Sequence, residues 1–203
     1  MKGLKKMNIG LLMAIITVIL VIAYCIHVES ARKSSKGQIM EACGEFIKMT
    51  DKYAVLPSEY QKIGIKSTEV DLTNYKKSLK EDLEKQTINS GVADIEATIL
   101  EQIAQSQLID TRSVITESTR KVVNITSTQF TGNQVTVTFN SRLYVKQKYN
   151  DVNAENGEIT EKSSEVAYDL KGDTIILEKV NDDWKVVYSN LKFAGPNSSI
   201  NKK

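Results

Sequence analysis

The spacing of apolar residues changes character twice along this chain. From Met7 to Val28 there is no Asp, Glu, Lys or Arg, and about twenty such residues in a helix reach roughly 30 Å, the thickness of a hydrocarbon layer. The run predicts a transmembrane helix over 9–28, with residues 1–29 forming a cytoplasmic tail and anchor. From Ser30 to Lys52 the pattern becomes one-sided, and Ile39, Met40, Cys43, Phe46 and Ile47 share one face of a continuing helix. Gly37 and Gly44 weaken that helix. Leu56-Pro57-Ser58 ends it, since the residue before a proline avoids the helical basin. Leu72, Tyr75, Leu79 and Leu83 predict a second helix, with Asp71 or Thr73 as its cap. A third follows Asn89-Ser90-Gly91 and runs to about Ile109. It offers Val92, Ile95, Ile99 and Ile103 as one stripe, with Ala93, Ala97, Leu100, Ala104 and Leu108 beside it. A face that wide is expected to lie buried against a sheet.

After Asp110 the period drops to two. Val135, Val137, Phe139, Leu143 and Val145 alternate with polar or amphipathic neighbours, which predicts a long strand with one covered face. A strand from Val122 to Phe130 precedes it across the turn Thr131-Gly132-Asn133. A third strand, about Ser164 to Lys179, is expected to bulge near Lys171-Gly172-Asp173. The last, Trp184 to Leu191, is joined through Val180-Asn181-Asp182-Asp183. Helices first and an antiparallel meander last predict an α+β domain over 30–194. Its two or three helices pack on a curved four-stranded sheet, followed by a loose polar tail over 195–203.

A cleaved signal peptide would have a shorter apolar core, about 7–15 residues, ending in small side chains. Neither condition is met here, and bulky Tyr24 before Cys25 argues against a lipoprotein site. The basic tail with Lys2, Lys5 and Lys6 predicts an uncleaved single-pass anchor with the large domain outside the cytoplasm, although Arg32, Lys33 and Lys36 nearly balance it on the far side. Overall, 27 Lys+Arg face 25 Asp+Glu, so the remainder of the chain is close to neutral. No Lys/Arg stripe interleaved with aromatics is present to replace phosphate counterions, which excludes nucleic acid as the expected partner.

Candidate chemistry is sparse. The sole histidine, His27, lies in the anchor, which leaves the domain without Ser-His-Asp, Cys-His or His-metal chemistry. Cys43 has no base, and Cys25 stands roughly 27 Å from it at helical rise, beyond disulfide reach. Along Asp151–Glu161 carboxylates and amides alternate, but glycine comes seventh and Lys162 twelfth where a calcium loop wants glycine sixth and glutamate twelfth. That segment is read as a solvated hairpin tip. No catalytic, cofactor-binding or metal residue is expected. Trp184 and Tyr188 are placed on one strand face, packed on the helices. Tyr144 and Tyr149, toward the far end of the long hairpin, are the candidate partner-binding residues, because aromatics on a wet face serve as interface anchors.

The closing hairpin, Ile175 to Tyr188 with Asn181-Asp182-Asp183-Trp184-Lys185-Val186 at its centre, resembles the terminal hairpin of nuclear-transport-factor-2-like, cystatin-like cone folds. An amino-terminal anchor before such a cone is similar in architecture to inner-membrane assembly proteins of type IV secretion and conjugation machines, and to small anchored domains of Gram-positive bacteria. The resemblance implies a non-catalytic scaffold or subunit of an envelope-spanning assembly. Its partners would be other membrane or envelope proteins, with a homo-oligomer among the options, and the bilayer itself. The alternatives are a small-ligand-binding module or hydrolase using the cone pocket, and a minor pilin-like subunit; the lack of any acid before Glu29 weighs against the last.

Overall fold

Helix α1 runs from Ile9 to Tyr53 in the computed structural model, which describes residues 9–109, 112–153 and 157–193, with backbone alone at positions 9–15, 25, 27, 31, 32 and 34. The chain divides into two units, residues 1–40 and residues 41–203. In the first unit every side chain from Ile16 to Tyr24, and that of Ile26, is exposed. Among the described residues no helix is long and apolar enough to cross a membrane. The transmembrane helix expected over 9–28 falls partly on positions whose side chains lie outside the described ones, and the structure establishes the α+β part of the prediction without it. The predicted tail over 195–203 also lies outside the described residues.

In the second unit α1 buries Cys43, Phe46, Ile47 and Met49 and stops just before Leu56-Pro57, as the proline requires. Helix α2 spans Thr73–Gln86 and buries Tyr75, Leu79 and Leu83. The N-cap position falls on Leu72, between the two expected caps and without a side-chain cap hydrogen bond, and Asp71 Oδ1 accepts the Thr73 N–H at 2.9 Å just before it. Helix α3 spans Ser90–Ser106, and Asn89 Oδ1 accepts the Val92 N–H at 2.9 Å to start it. The buried face of α3 is the alanine half of the expected one. It consists of Ala93, Glu96, Ala97, Leu100 and Ala104, while Ile95 is 64% and Ile99 40% exposed. α3 packs on α2 and on the last strand, and the alanine side permits the closer approach.

Strands β1 (Ser113–Thr131), β2 (Gln134–Val152), β3 (Ile159–Val180) and β4 (Asp183–Asn190) form one antiparallel sheet in the order β1-β2-β3-β4. Val135, Val137, Phe139, Ser141, Leu143 and Val145 of β2 all face inward, and Ile115, Leu143, Val145, Tyr168 and Leu170 pack together in the core. Asn181 and Asp182 both hold positive φ, 49° and 75°, the geometry of a two-residue hairpin turn. β1 begins at Ser113, well before the expected Val122. After the buried Val114 and Ile115 its first half is polar, and cross-strand pairs such as Glu117 with Lys146 at 2.6 Å take the place of apolar alternation. Because β2 runs to Val152 and β3 begins at Ile159, before the expected Ser164, the solvated tip expected over Asp151–Glu161 shrinks to residues 153–158.

Two irregularities re-aim side chains. Phe139 pairs with Asp173 and Ser141 with Leu170, so Lys171 and Gly172 together oppose Asn140, one residue is extra, and Gly172 takes φ 73° at the predicted bulge. In β4, Ile176 pairs with Tyr188 but Leu177 with Val186, which makes Val187 the extra residue. That shift breaks the expected common face of Trp184 and Tyr188: Trp184 is half-buried, whereas Tyr188 turns outward and is 51% exposed. The outer edge of β4 is partly covered, since the Ile88 N–H donates to Val186 O at 2.9 Å.

Candidate functional site

The bulge after Leu170 returns the chain to the inner face of the sheet at Asp173, which is fully buried. There it meets an inward arginine of β1. Arg120 pairs with Leu143, whose side chain belongs to the core, so the guanidinium enters the interior. Arg120 Nη1 donates to Asp173 Oδ2 at 3.2 Å, and Ser141 Oγ of β2 donates to the same oxygen at 2.5 Å. From α1, Asp51 Oδ2 accepts the backbone N–H of Arg120 at 2.5 Å. The chain after β4 closes the cluster: Lys192 O accepts from Arg120 Nη2 at 2.5 Å, the Lys192 N–H donates to Asp173 Oδ1 at 3.2 Å, and the Phe193 ring lies 5.0 Å from the guanidinium carbon. One helix, three strands and the segment after the fourth are thereby joined through a single cation.

Two carboxylates share that cation, and they are not equally served. Loss of water pushes the Asp51 carboxyl up to about 6, against the opposing pull of Arg120. Burial likewise lowers the Arg120 guanidinium from its ordinary range. Asp51 Oδ1 and Arg120 Nε are buried without hydrogen-bond partners, 3.8 Å apart. A carboxyl titrating near neutrality is what proton transfer requires, but Asp51 is only 4% exposed and lines neither of two grooves on this unit. One, of about 690 Å³, lies between α2 and α3 against Val70, Leu72, Lys76, Gln102 and Leu108. The other, of about 410 Å³, is lined by Tyr53, Leu56, Pro57, Asn74 and Tyr75. Its aromatic tips are already engaged, since the Tyr53 hydroxyl donates to Asp82 Oδ2 at 2.8 Å and the Tyr75 hydroxyl to Tyr53 O at 2.5 Å.

The candidate partner residues are not brought together. Tyr144 lies on the outer face of β2 with Lys121 Nζ 5.3 Å from its ring centroid. Tyr149 is five residues further along the same strand, which is an odd number and so the opposite face. Both are half-buried. Asp151 is ion-paired with Lys162 across the hairpin, residues 154–156 of the loop lie outside the described residues, and among the described residues no group of three or more His, Cys, Asp or Glu converges as a metal site. The Cys43 thiol is buried, and burial pushes it up to about 12, so it is a core thiol. The side chain of His27 lies outside the described ones.

The buried ionic cluster escapes a reading of the sequence for motifs, because its members are scattered over residues 51 to 193 and each has a bland local setting. One signal was present. Asp51 follows Cys43 and Ile47 in four-residue steps on the apolar face of α1, and a carboxylate in that position needs a buried counter-charge.

No protein-family model matches the chain, and no curated protein matches it. Among solved structures the chain is similar to a nuclear transport factor 2 (NTF2-like) superfamily protein from Salmonella enterica subsp. enterica serovar Typhimurium str. LT2, at 13% identity over 83% of this chain and 95% of that one, with a TM-score of 0.34. It is also similar to an NTF2-like protein involved in plasmid conjugation, at 10% identity over 79% of this chain, with a TM-score of 0.28; the match spans 53% of that protein. At such low superposition scores the architecture rests on the strand pairings themselves.

Proposed function

We propose that this is a non-catalytic, single-pass membrane protein whose extracytoplasmic α+β domain makes protein contacts as a scaffold or subunit of an envelope assembly. The observation that carries the reading is the exposure of Ile16, Val18, Ile19, Leu20, Val21, Ile22 and Ile26 on one helical segment. A helix apolar on all sides is stable only where something apolar surrounds it, and the uncharged run from Met7 to Val28 suits a bilayer. The non-catalytic part is supported by the sealed setting of Asp51 and by the filling of the sheet's inner face with Val137, Phe139 and Leu143.

Membrane fractions washed with alkaline carbonate should retain the full chain, and protease added to protoplasts should remove the domain while leaving a small anchored fragment. Release by carbonate would refute the anchor, and full protection would reverse its orientation. A second reading, ligand binding, is favoured by the groove of about 690 Å³ between α2 and α3, a volume within the usual range for small-molecule sites.

A further inference from the structure

Two arginines on neighbouring strands use the same edge of the guanidinium differently. In β2, Arg142 Nε and Nη2 form a fork that takes Asp169 side-on, at 2.6 and 3.2 Å. In β1, the same fork of Arg120 stands between two acceptors. Lys192 O holds Nη2 at 2.5 Å, while Nε faces Asp51 Oδ1 at 3.8 Å, both atoms buried without a hydrogen-bond partner. Nη1 is committed to Asp173 at 3.2 Å and stays outside the competition.

The acceptor that holds Nη2 belongs to a strap. Lys192 and Phe193 follow β4 and are fastened to the cluster by Lys192 O on Nη2, by the Lys192 N–H on Asp173 Oδ1 at 3.2 Å, by Lys192 Nζ on Lys171 O, and by the Phe193 ring 5.0 Å from the guanidinium carbon. Asp51 is pinned through Oδ2 to the Arg120 N–H, so Oδ1 closes on Nε by drawing the guanidinium toward α1. Closing from 3.8 Å to an ordinary hydrogen bond is a movement of roughly 1 Å. Nη2 lies on the same edge of the planar group and moves with it, which stretches its bond to Lys192 O to the limit of hydrogen bonding and pulls the cation from the Phe193 ring.

We infer that Asp51 and the Lys192 carbonyl compete for the Arg120 fork, so that Lys192 and Phe193 form a latch, fastened while Asp51 is protonated and released when it ionises. A buried carboxylate facing a cation without a hydrogen bond is poorly compensated. A proton on Asp51 removes that penalty with the strap in place; closure onto Nε removes it with the strap displaced. Burial raises the Asp51 carboxyl to about 6, so the fastened state binds the proton more tightly than an ion-paired Asp51 would, and a rise in pH through 6 favours release. The charges that bear on Asp51 are Arg120 of β1, which lowers it, and Asp173 of β3, which raises it. β2 contributes the neutral Ser141 hydroxyl, bound to Asp173, and the Lys192 ammonium is held at Lys171 O. Among the described residues no ionisable group of α2, α3 or β4 is among those that shift Asp51 or Arg120.

The latch needs neither an anchor nor a partner, and its test is amide hydrogen exchange on the full chain in detergent micelles, read by mass spectrometry on a peptide containing Lys192 and Phe193. After division by the intrinsic rate, that peptide in the wild type should exchange at least about tenfold faster at pH 7.5 than at pH 5, while peptides from the centre of β2 keep the same protection. Asp51→Asn cannot ionise, and its strap should stay protected at both pH values. In the wild type the carbon resonance of the Asp51 carboxyl should titrate with the same midpoint as the loss of protection. Equal protection of the wild-type strap at both pH values would overturn the latch. So would loosening of Asp51→Asn to the same extent as the wild type, or a carboxyl midpoint that differs from that of the strap, since either assigns the response to another group. The two wild-type measurements decide the matter even where Asp51→Asn does not fold.

Discussion

Asp51 and Arg120 meet in two unequal ways. Asp51 Oδ2 accepts the Arg120 backbone N–H at 2.5 Å, whereas Asp51 Oδ1 and Arg120 Nε stand 3.8 Å apart, each without a hydrogen-bond partner. Asp51 therefore serves the β1 backbone first and the guanidinium second. The direct hydrogen bond between carboxylate and guanidinium falls to Asp173, which also takes Ser141 Oγ and the Lys192 N–H.

That inequality predicts different costs for the same chemical change. Asp173→Asn removes the carboxylate hydrogen-bonded to a buried cation and turns one acceptor into a donor, and it should cost about 3–5 kcal/mol. Asp51→Asn keeps one oxygen for the Arg120 N–H and relieves a poorly compensated charge, so its cost should stay near about 1 kcal/mol. Urea unfolding followed by the fluorescence of the single tryptophan, Trp184, measures both. Equal losses would show that the two aspartates share Arg120 evenly.

The pH dependence follows from the same site. With its carboxyl raised from 3.8 to about 6 in the folded chain, Asp51 holds a proton in the native state that it has already lost when unfolded. Stability from this group is complete below about pH 4 and is lost as pH rises through 6, by roughly 3 kcal/mol at most. Glu96, also raised by burial, acts in the same direction. The stability of wild type minus that of Asp51→Asn isolates Asp51, and it should fall between pH 4 and pH 6.5. A difference that is flat across that range would show Asp51 titrating normally.

The elements were more legible in the sequence than their faces. The hairpin turns at Gly132 and at Asn181-Asp182, the bulge at Gly172 and the stop of α1 before Pro57 were all marked by residues with restricted or permissive backbones. Which side of α3 is buried was not legible, because the isoleucine and alanine stripes adjoin and only the approach distance of α2 and β4 chooses between them. Tyr188 was misplaced for a related reason: one extra residue, Val187, inverts a strand face, and no side chain in Trp184–Tyr188 announces it. The ionic cluster depends wholly on register, which is a property of pairs of strands.

Two glycines should respond oppositely to alanine. Gly44 lies inside α1 and a Cβ there would meet nothing within 4 Å, so Gly44→Ala should stabilise by about 0.5–1 kcal/mol. A Cβ at Gly172 also has open space, but φ is +73°, and Gly172→Ala should destabilise by about 1–2 kcal/mol. Thermal unfolding distinguishes them. Neutral behaviour at Gly172 would mean that the bulge relaxes to another conformation.

The Asp151–Glu161 segment should not respond to calcium. Asp151 is engaged by Lys162, and a cation would have to displace that ammonium. Millimolar calcium should leave the melting temperature unchanged, since any ligand of the native state alone must raise it. A rise abolished by Asp151→Ala would reveal a site built by the loop.

The placement of Tyr144 and Tyr149 on opposite faces of β2 makes their roles separable. A rigid partner laid on one face of a strand cannot also reach the other, so the two tyrosines cannot anchor one interface. Tyr144 is the better placed, because Lys121 lies over its ring and the pair offers an aromatic edge and a charge on the same outer surface. Tyr144→Ser should reduce recovery of a partner crosslinked to the full chain, whereas Tyr149→Ser should leave that recovery unchanged. Expression level and melting temperature serve as controls, since neither ring is fully buried. Equal losses from the two substitutions would require a partner that wraps the hairpin edge, and no loss from either would remove the hairpin from the candidate surfaces.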